Sequence, residues 1–270
     1  GWLASSMSVS SPIIRSDEEA LPLNWTVHTT EEARLAVQKA NELGYDLLKV
    51  YGTISKNALQ TVLEEASKLN IPVAKHGPHP VADMHWEALH GMQSLEHVED
   101  IFQGPLKFSF DQSKLDMVID KLKLAQVPIT PTLHIFWQLT QMSVYKQGFV
   151  DELPQGYVSP IIAWEAESNQ VARWINSSNK MARHNQNTLM LLKQITNVLQ
   201  QNNIPLLVGS DAGVLLSPHG LSTHNEMKLM KESGVDEYSV LKAATLNPAK
   251  ALQKENEIGQ IKVGYKADFI

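Results

Sequence analysis

Four short runs of the sequence decide the fold: Asp46-Leu-Leu-Lys49-Val-Tyr-Gly52, Pro72-Val-Ala-Lys-His76-Gly77, Ser94-Leu-Glu-His97-Val98 and Leu206-Leu-Val-Gly-Ser-Asp211-Ala-Gly213. Each run is a predicted β-strand that ends in a residue able to hold a metal, and a helical pattern follows each one. Strands that alternate with helices predict a parallel sheet. In a β/α barrel the carboxyl ends of the strands open onto one face. The sequence therefore predicts that Lys49, His76, His97 and Asp211 converge on that face.

The remaining segments give a coarse order of elements. Residues 1–25 show no period and are rich in Ser and Pro, which predicts a long loop. The first firm helix runs from about Thr29 to Leu43, with a capping box of Thr29 and Glu32 at its start and Gly44 at its stop. Further helices are predicted near 56–69, 81–89, 114–125, 223–232 and 236–252, a strand at 128–133, and a mostly helical insertion at 134–202.

Composition excludes several classes of protein. The chain has 270 residues, enough for one large α/β domain, and its net charge of -6 comes without a basic cluster, which argues against nucleic acid as a partner. The absence of cysteine excludes disulfides, thiolate zinc sites and cysteine nucleophiles. No apolar run is long enough to span a membrane. A soluble, cytoplasmic protein is the default expectation, although a start without Met leaves a secretion signal open.

The last third of the chain carries the most specific motifs. Ser210-Asp211-Ala-Gly213 is followed by Pro218-His219-Gly220, by Thr245-Leu-Asn-Pro248 and by Gly264-Tyr-Lys-Ala-Asp268. With the four strand ends, these motifs resemble the amidohydrolase superfamily of metal-dependent hydrolases, and most of all its imidazolonepropionase-like or prolidase-like group. The resemblance covers about residues 27–270. It implies an α/β fold, namely a partial TIM (β/α)8 barrel of about strands 4–8, which occupies residues 1–252. Residues 253–270 would return to a truncated β-sandwich domain.

The resemblance also implies a site. Lys49 would be carbamylated and would bridge two divalent metals, for which zinc suits the imidazole and carboxylate ligands. His76 and His97 would bind one metal, and Asp211 would bind the other and carry the proton to the leaving nitrogen. His134 and His219 would meet the substrate. The implied reaction is hydrolysis of an amide or cyclic amide C–N bond by metal-bound hydroxide, with dipeptides and acylated amino acids as the expected small-molecule substrates.

One departure from the family pattern matters. The family carries a His-x-His pair before the lysine strand, and this chain has no His-x-His. We therefore expect a fragment whose catalysis is impaired and whose outer strands, those of Lys49 and Asp211, each lack a neighbour. Three alternatives stay open: a non-catalytic fragment or scaffold, a metal-dependent deaminase, and a Schiff-base aldolase that uses Lys49. The oligomeric state is open as well, including a homo-oligomer.

Each candidate residue also has a purely structural interpretation. Lys49 could be a surface lysine that snorkels, His76 and His97 could be hydrogen-bonded core histidines, and Asp211 could cap the segment that follows it. Lys75 is out of phase with His76 on the predicted strand and is interpreted as facing outward. His224 and Glu226 open a helix, so capping of that same helix is their simplest role.

Overall fold

The computed structural model describes residues 7–17, 24–77, 80, 84–109, 111–154, 156, 160, 163 and 170–267. The chain divides into two compact units. Unit 1 comprises residues 1–129 and 245–270, and unit 2 comprises residues 130–244. This division follows neither of the predicted domain bounds, so a separate role for residues 253–270 stays a prediction.

A six-stranded sheet organises the first part of the chain. Its strands are β1 (Ile13–Arg15), β2 (Asn24–Thr26), β3 (Leu48–Val50), β4 (Val73–His76), β5 (Ser94–Glu96) and β6 (Ile129–Thr130), arranged in the order β2-β1-β3-β4-β5-β6. All paired strands from β2 to β5 run parallel. The α/β class with a parallel sheet is therefore confirmed, and the partial barrel and the truncated sandwich stay predictions.

The described residues hold eleven α-helices. They are α1 (Thr30–Glu42), α2 (Lys56–Leu69), α3 (Glu99–Gln103), α4 (Gln112–Ala125), α5 (Leu133–Tyr145), α6 (Gln147–Asp151), α7 (Val171–Ile175), α8 (Asn179–Gln201), α9 (Leu221–Glu232), α10 (Glu237–Ala244) and α11 (Leu246–Ala251). A short 3-10 helix spans Trp86–Leu89. No helix of the described segments is both long and apolar enough to cross a membrane.

Local sequence explains where the first helices begin and end. Thr29 and Glu32 form the predicted capping box at the start of α1, and Gly44 adopts a φ of 75° just after the helix. Ser55 caps α2 by accepting a hydrogen bond from the N–H of Ala58. Asn70 then ends α2 in the left-handed conformation. The predicted bounds of these helices are confirmed to within one residue.

The prediction of a long loop at residues 1–25 is wrong. Ile13 and Ile14 belong to β1, whose Ile14 pairs with Val50 of β3 and is fully buried. β3, the strand of Lys49, therefore has neighbours on both sides, β1 and β4, and the expected unpaired edge at Lys49 is corrected. Two adjacent β-branched residues favour an extended strand, but three residues are too short a run to show a period.

The strand predicted before Asp211 is also corrected. Residues 206–211 contain a single bridging residue at Leu206 and no strand. The N–H of Val208 instead bonds to the carbonyl of Ala243 at 2.9 Å. The helix predicted near 81–89 is reduced to the 3-10 helix, with residues 81–83 outside the described residues. The insertion at 134–202 is mostly helical, as predicted, in its described parts.

Unit 2 has a core of its own around α5 and α8. Met142 of α5 and Leu192, Ile195 and Leu199 of α8 are all at most 1% exposed. A buried polar pair lies within this apolar packing, because the Asn185 amide donates to the Ser143 hydroxyl at 2.8 Å. The pair satisfies two groups that would otherwise be costly to bury.

Candidate functional site

In unit 1, sheet register brings the predicted lysine and histidine of β3 and β4 onto one face. Lys49 pairs with Ala74, and His76 lies two residues beyond Ala74 on the same strand. Because side chains alternate along a strand, Lys49 and His76 point to the same side of the sheet. His97 follows β5 directly and has a φ of 70°, which ends the strand there. The rings of His76 and His97 lie 4.4 Å apart between centroids.

A column of stacked side chains supports the His76 ring. The Tyr51 ring lies 4.3 Å from His76 between centroids, and the Arg15 guanidinium lies 4.6 Å from the Tyr51 ring centre. Arg15 is only 4% exposed and forms a two-pronged ion pair with Asp17, which also accepts a hydrogen bond from Thr53 at 2.9 Å. Arg15 is the last residue of β1, in the region that the sequence predicted to be a loop. This strand therefore positions the side chain that supports Tyr51.

Asp100 adds a carboxylate to the histidine pair. Its Oδ2 lies 3.2 Å from Nε2 of His76, yet this buried oxygen has no partner in hydrogen-bond geometry. Burial raises the pKa of Asp100 to about 6, and the charges of Lys75 and Lys49 oppose this rise. Burial lowers the pKa of His97 well below its usual value, and His76 and Lys49 add to the effect. His97 is therefore neutral near pH 7 and can offer a ring lone pair.

Lys75 takes the opposite face of β4, as its phase predicts, but it is completely buried. Its ammonium donates to the carbonyls of His76 and Gly77 at 2.9 and 3.0 Å. Burial lowers the pKa of Lys75 to about 8, while Asp100 opposes the shift. Lys75 thus fixes the backbone at the end of β4 through two hydrogen bonds. The predicted outward orientation did not suggest this role.

The fit of this group to a metal rests on donor chemistry. Neutral His97, neighbouring His76 and the orphaned Oδ2 of Asp100 are donors that zinc accepts. Among the described side chains, however, no three His, Asp or Glu residues are already arranged to hold a metal ion. The donor types fit a divalent cation, and His76 and His97 are the first residues that would hold it.

The other predicted site residues lie in unit 2. Asp211 and His219 are exposed on a segment of turns, and Asp211 adopts a φ of 52°. His134 is 3% exposed in the first turn of α5, and both of its ring nitrogens have protein partners, Ser217 and Asn225. Burial lowers the pKa of His134 to about 4. The roles of these three residues in binding metal or substrate stay predictions.

Glu226 has a role that sequence reasoning missed. It is fully buried and accepts a hydrogen bond from the N–H of His134 at 2.6 Å, so it caps α5 and not the helix to which it belongs. Burial raises the pKa of Glu226 to about 8, against the opposing backbone N–H groups of His134, Leu133 and Thr132. Arg15, Tyr51 and Asp100 were missed as well. For Arg15 and Tyr51 the only sequence signal was a polar residue at or directly after a strand, and for Asp100 it was an acidic residue in the helix that follows His97.

Comparisons with known proteins agree with the resemblance seen in the sequence. Residues 158–270 match the model of the amidohydrolase family. No curated protein matches the sequence. The match of residues 158–270 agrees with the predicted resemblance to the amidohydrolase superfamily in the last part of the chain.

Three of those structures show the shared fold. Bottromycin amidohydrolase superposes with a TM-score of 0.70 at 20% identity, over 92% of this chain and 56% of its own. A Xaa-Pro dipeptidase with methionine in its active site gives 0.56 at 18% identity, over 90% and 52%. The ochratoxinase of A. niger gives 0.57 at 17% identity, over 97% and 52%. The chain spans about half the length of these proteins.

Proposed function

Because residues 158–270 match the model of the amidohydrolase family, we propose that this chain is a metal-dependent hydrolase of amide or cyclic amide C–N bonds. The observation that carries the proposal is the pairing of His76 and His97, whose rings lie 4.4 Å apart at the ends of neighbouring parallel strands. Carboxyl ends of parallel strands are where β/α enzymes place their chemistry.

The proposed substrate class is supported by the names of proteins with a similar fold. Bottromycin amidohydrolase, the Xaa-Pro dipeptidase and ochratoxinase are similar in fold. Two of these names refer to an amide or a dipeptide, which supports dipeptides and acylated amino acids as the small-molecule substrates. Fold alone is a weak guide to substrate, so a panel of dipeptides and N-acyl amino acids is the direct test of this class.

The chain's own residues have distinct parts in the proposal. His76 and His97 would hold a divalent cation, zinc by preference, through their ring nitrogens. Lys49 would join as its carbamate, because an ammonium group cannot donate electrons to a metal. Asp211, in unit 2, keeps its predicted role of ligand and of carrier of a proton to the leaving nitrogen. When bound, such a cation lowers the pKa of water and polarises the scissile carbonyl.

The surrounding residues would preorganise His76. Tyr51 lies against one side of its ring, Asp100 lies 3.2 Å from Nε2, and Lys75 fixes the His76 carbonyl. Arg15 and its ion pair with Asp17 hold Tyr51 in turn. Residues that orient metal ligands in this way typically change metal affinity by about 10- to 100-fold when they are removed.

We also propose that the chain by itself is an impaired catalyst. It has no His-x-His pair, and catalytic zinc sites normally use three protein ligands. Metal analysis of the purified chain should find no more than about one equivalent per chain on this basis. Two tightly held metals together with vigorous amide hydrolysis would show that other residues replace the pair.

Zinc titration calorimetry tests the site. Replacing His76 or His97 with Ala should weaken zinc binding by more than about 100-fold, because each removes a direct ligand. His85→Ala is the matched control, since His85 is a histidine of the same unit that lies outside the pair. Equal zinc affinity in all three variants would refute the site. Release of amino acids from a panel of dipeptides and N-acyl amino acids, with and without chelator, then tests the reaction.

A further inference from the structure

The segment of residues 211–220 in unit 2 is held in backbone conformations that its own sequence does not favour. Leu215 and Leu216 have φ values of 52° and 58°, in the left-handed region, and both are at most 7% exposed. Leucine has no polar side chain that could offset this conformation locally. Such residues persist only where the surroundings hold them, and they concentrate near functional sites. We call residues 211–220 the Asp211 loop.

Two side chains of α5 hold the Asp211 loop from one side. The His134 ring bonds through Nε2 to the Ser217 hydroxyl, and the Gln138 amide donates to the carbonyl of Leu215 at 3.0 Å. His134 and Gln138 are four residues apart and therefore lie on one face of the helix. Ser217 is fully buried, and inside the loop its N–H and carbonyl bond to Val214 and Gly213 at 3.0 Å.

Two consecutive residues of α9 fix His134 in turn. The Asn225 amide donates to ring Nδ1 of His134 at 2.8 Å, and Glu226 accepts the backbone N–H of the same residue at 2.6 Å. With Nδ1 accepting, the ring proton resides on Nε2, which then donates to the Ser217 hydroxyl. The assignment follows from the hydrogen-bond network. Ring orientation, ring tautomer and helix start are therefore all set by α9.

We propose that Asn225, Glu226 and His134 are positioning residues that set the conformation of the Asp211 loop, so that His134 acts through Ser217 and not by contact with substrate. The relevance of this loop to a reaction rests on the proposed function, because Asp211 and His219 are its predicted chemical groups. The positioning itself rests on the contacts within unit 2. Both ring nitrogens of His134 are bonded within the protein. In this proposal His134 is therefore a positioning residue and not the substrate-binding residue expected from the sequence.

Histidine nitrogen NMR on the whole chain tests the ring state. His134 should show one tautomer, protonated at Nε2, and should keep it from pH 8 down to about pH 5, in agreement with its lowered pKa. Asn225→Asp should move the ring proton to Nδ1 or protonate the ring fully, because a carboxylate accepts where the amide donates. A His134 ring that mixes both tautomers, or that titrates near pH 6.5 in the unmodified chain, would overturn the proposal.

Hydrogen exchange tests the effect on the loop. Ser217→Ala should speed exchange of the backbone amides at positions 213 and 217 by roughly five- to tenfold relative to α8, since it removes one buried hydrogen bond. Ser143→Ala is the matched control, because it removes an equally buried hydroxyl that touches α8 and not the loop. Equal loop exchange in both variants would overturn the proposal.

These measurements need neither metal nor substrate. A failed hydrolysis assay would therefore refute the proposed reaction. A single His134 tautomer and a loop-specific change in hydrogen exchange would still establish that His134 positions the Asp211 loop. Conversely, a chain that binds zinc through His76 and His97 but has an unlocked His134 would keep the proposed function and lose this inference.

Discussion

Raising the pH from 6.5 to 8 should destabilise unit 2 through Glu226. This carboxyl is fully buried, and burial raises its pKa from 4.5 to about 8. The folded state therefore holds the proton more tightly than the unfolded state does. The resulting stabilisation is complete below pH 4.5 and is lost as the pH rises through about 8.

The size of the effect follows from two groups with opposite signs. The pKa of His134 is lowered from 6.5 to about 4, so its contribution to stability increases as the pH rises to 6.5 and offsets that of Glu226 there. Above pH 6.5 this opposition fades, because His134 is already neutral in the folded state and loses only its remaining half proton in the unfolded state. One pKa unit corresponds to about 1.4 kcal/mol, so we expect a net loss on the order of 1 kcal/mol between pH 6.5 and 8.

Native-state hydrogen exchange of the α8 amides measures this loss, because α8 belongs to the core of unit 2. The free energy of opening, corrected for intrinsic exchange rates, should fall by that amount in the unmodified chain. In Glu226→Gln it should stay nearly constant, since a neutral amide of the same shape cannot titrate. Glu232→Gln removes a more exposed carboxylate from the same helix and should retain the full pH dependence. An identical pH slope in Glu226→Gln and in the unmodified chain would refute the reasoning.

Three further changes test the fold by urea denaturation. Gly209→Ala should lower the free energy of unfolding by about 1–3 kcal/mol, because the new Cβ would lie 2.4 Å from Cγ2 of Thr130. Adding Thr130→Ser removes Cγ2 and should recover most of this loss, and no recovery would contradict the clash. Thr29→Ala should cost about 1 kcal/mol through the lost cap of α1, and no loss would show that the capping box is dispensable. Ile14→Ala should cost about 2–5 kcal/mol if β1 is a core strand, whereas a loop residue would cost almost nothing.

Local sequence was sufficient for the bounds of the first two helices and for the expectation that Lys49 and His76 share one face of the sheet. Capping boxes, stop residues and the 3.6-residue period act within one or two turns, so α1 and α2 could be bounded from sequence. The position of Lys49 and His76 at the ends of predicted strands led to the expectation that they share one face, and the register of β3 with β4 agrees with it. The family motifs near Asp211 indicated a resemblance to the amidohydrolase superfamily, and the family model matches the same part of the chain, residues 158–270.

The remaining features depend on partners that are distant in sequence. β1 is three residues long, and it is a strand because Ile14 pairs with Val50 of β3. This pairing places Arg15 against Tyr51, whose ring contacts His76. Residues 206–211 have the composition of a buried strand, but the N–H of Val208 bonds to Ala243 instead.

Glu226 illustrates the physical reason. Its position in the first turns of α9 suggests a cap for its own helix, yet its carboxyl group accepts the N–H of His134, 92 residues away. A sequence pattern shows which groups need a hydrogen-bond partner and which face is apolar. Only tertiary packing decides which distant donor offsets the cost of burying that carboxyl group, and hence which helix it caps and which loop it fixes.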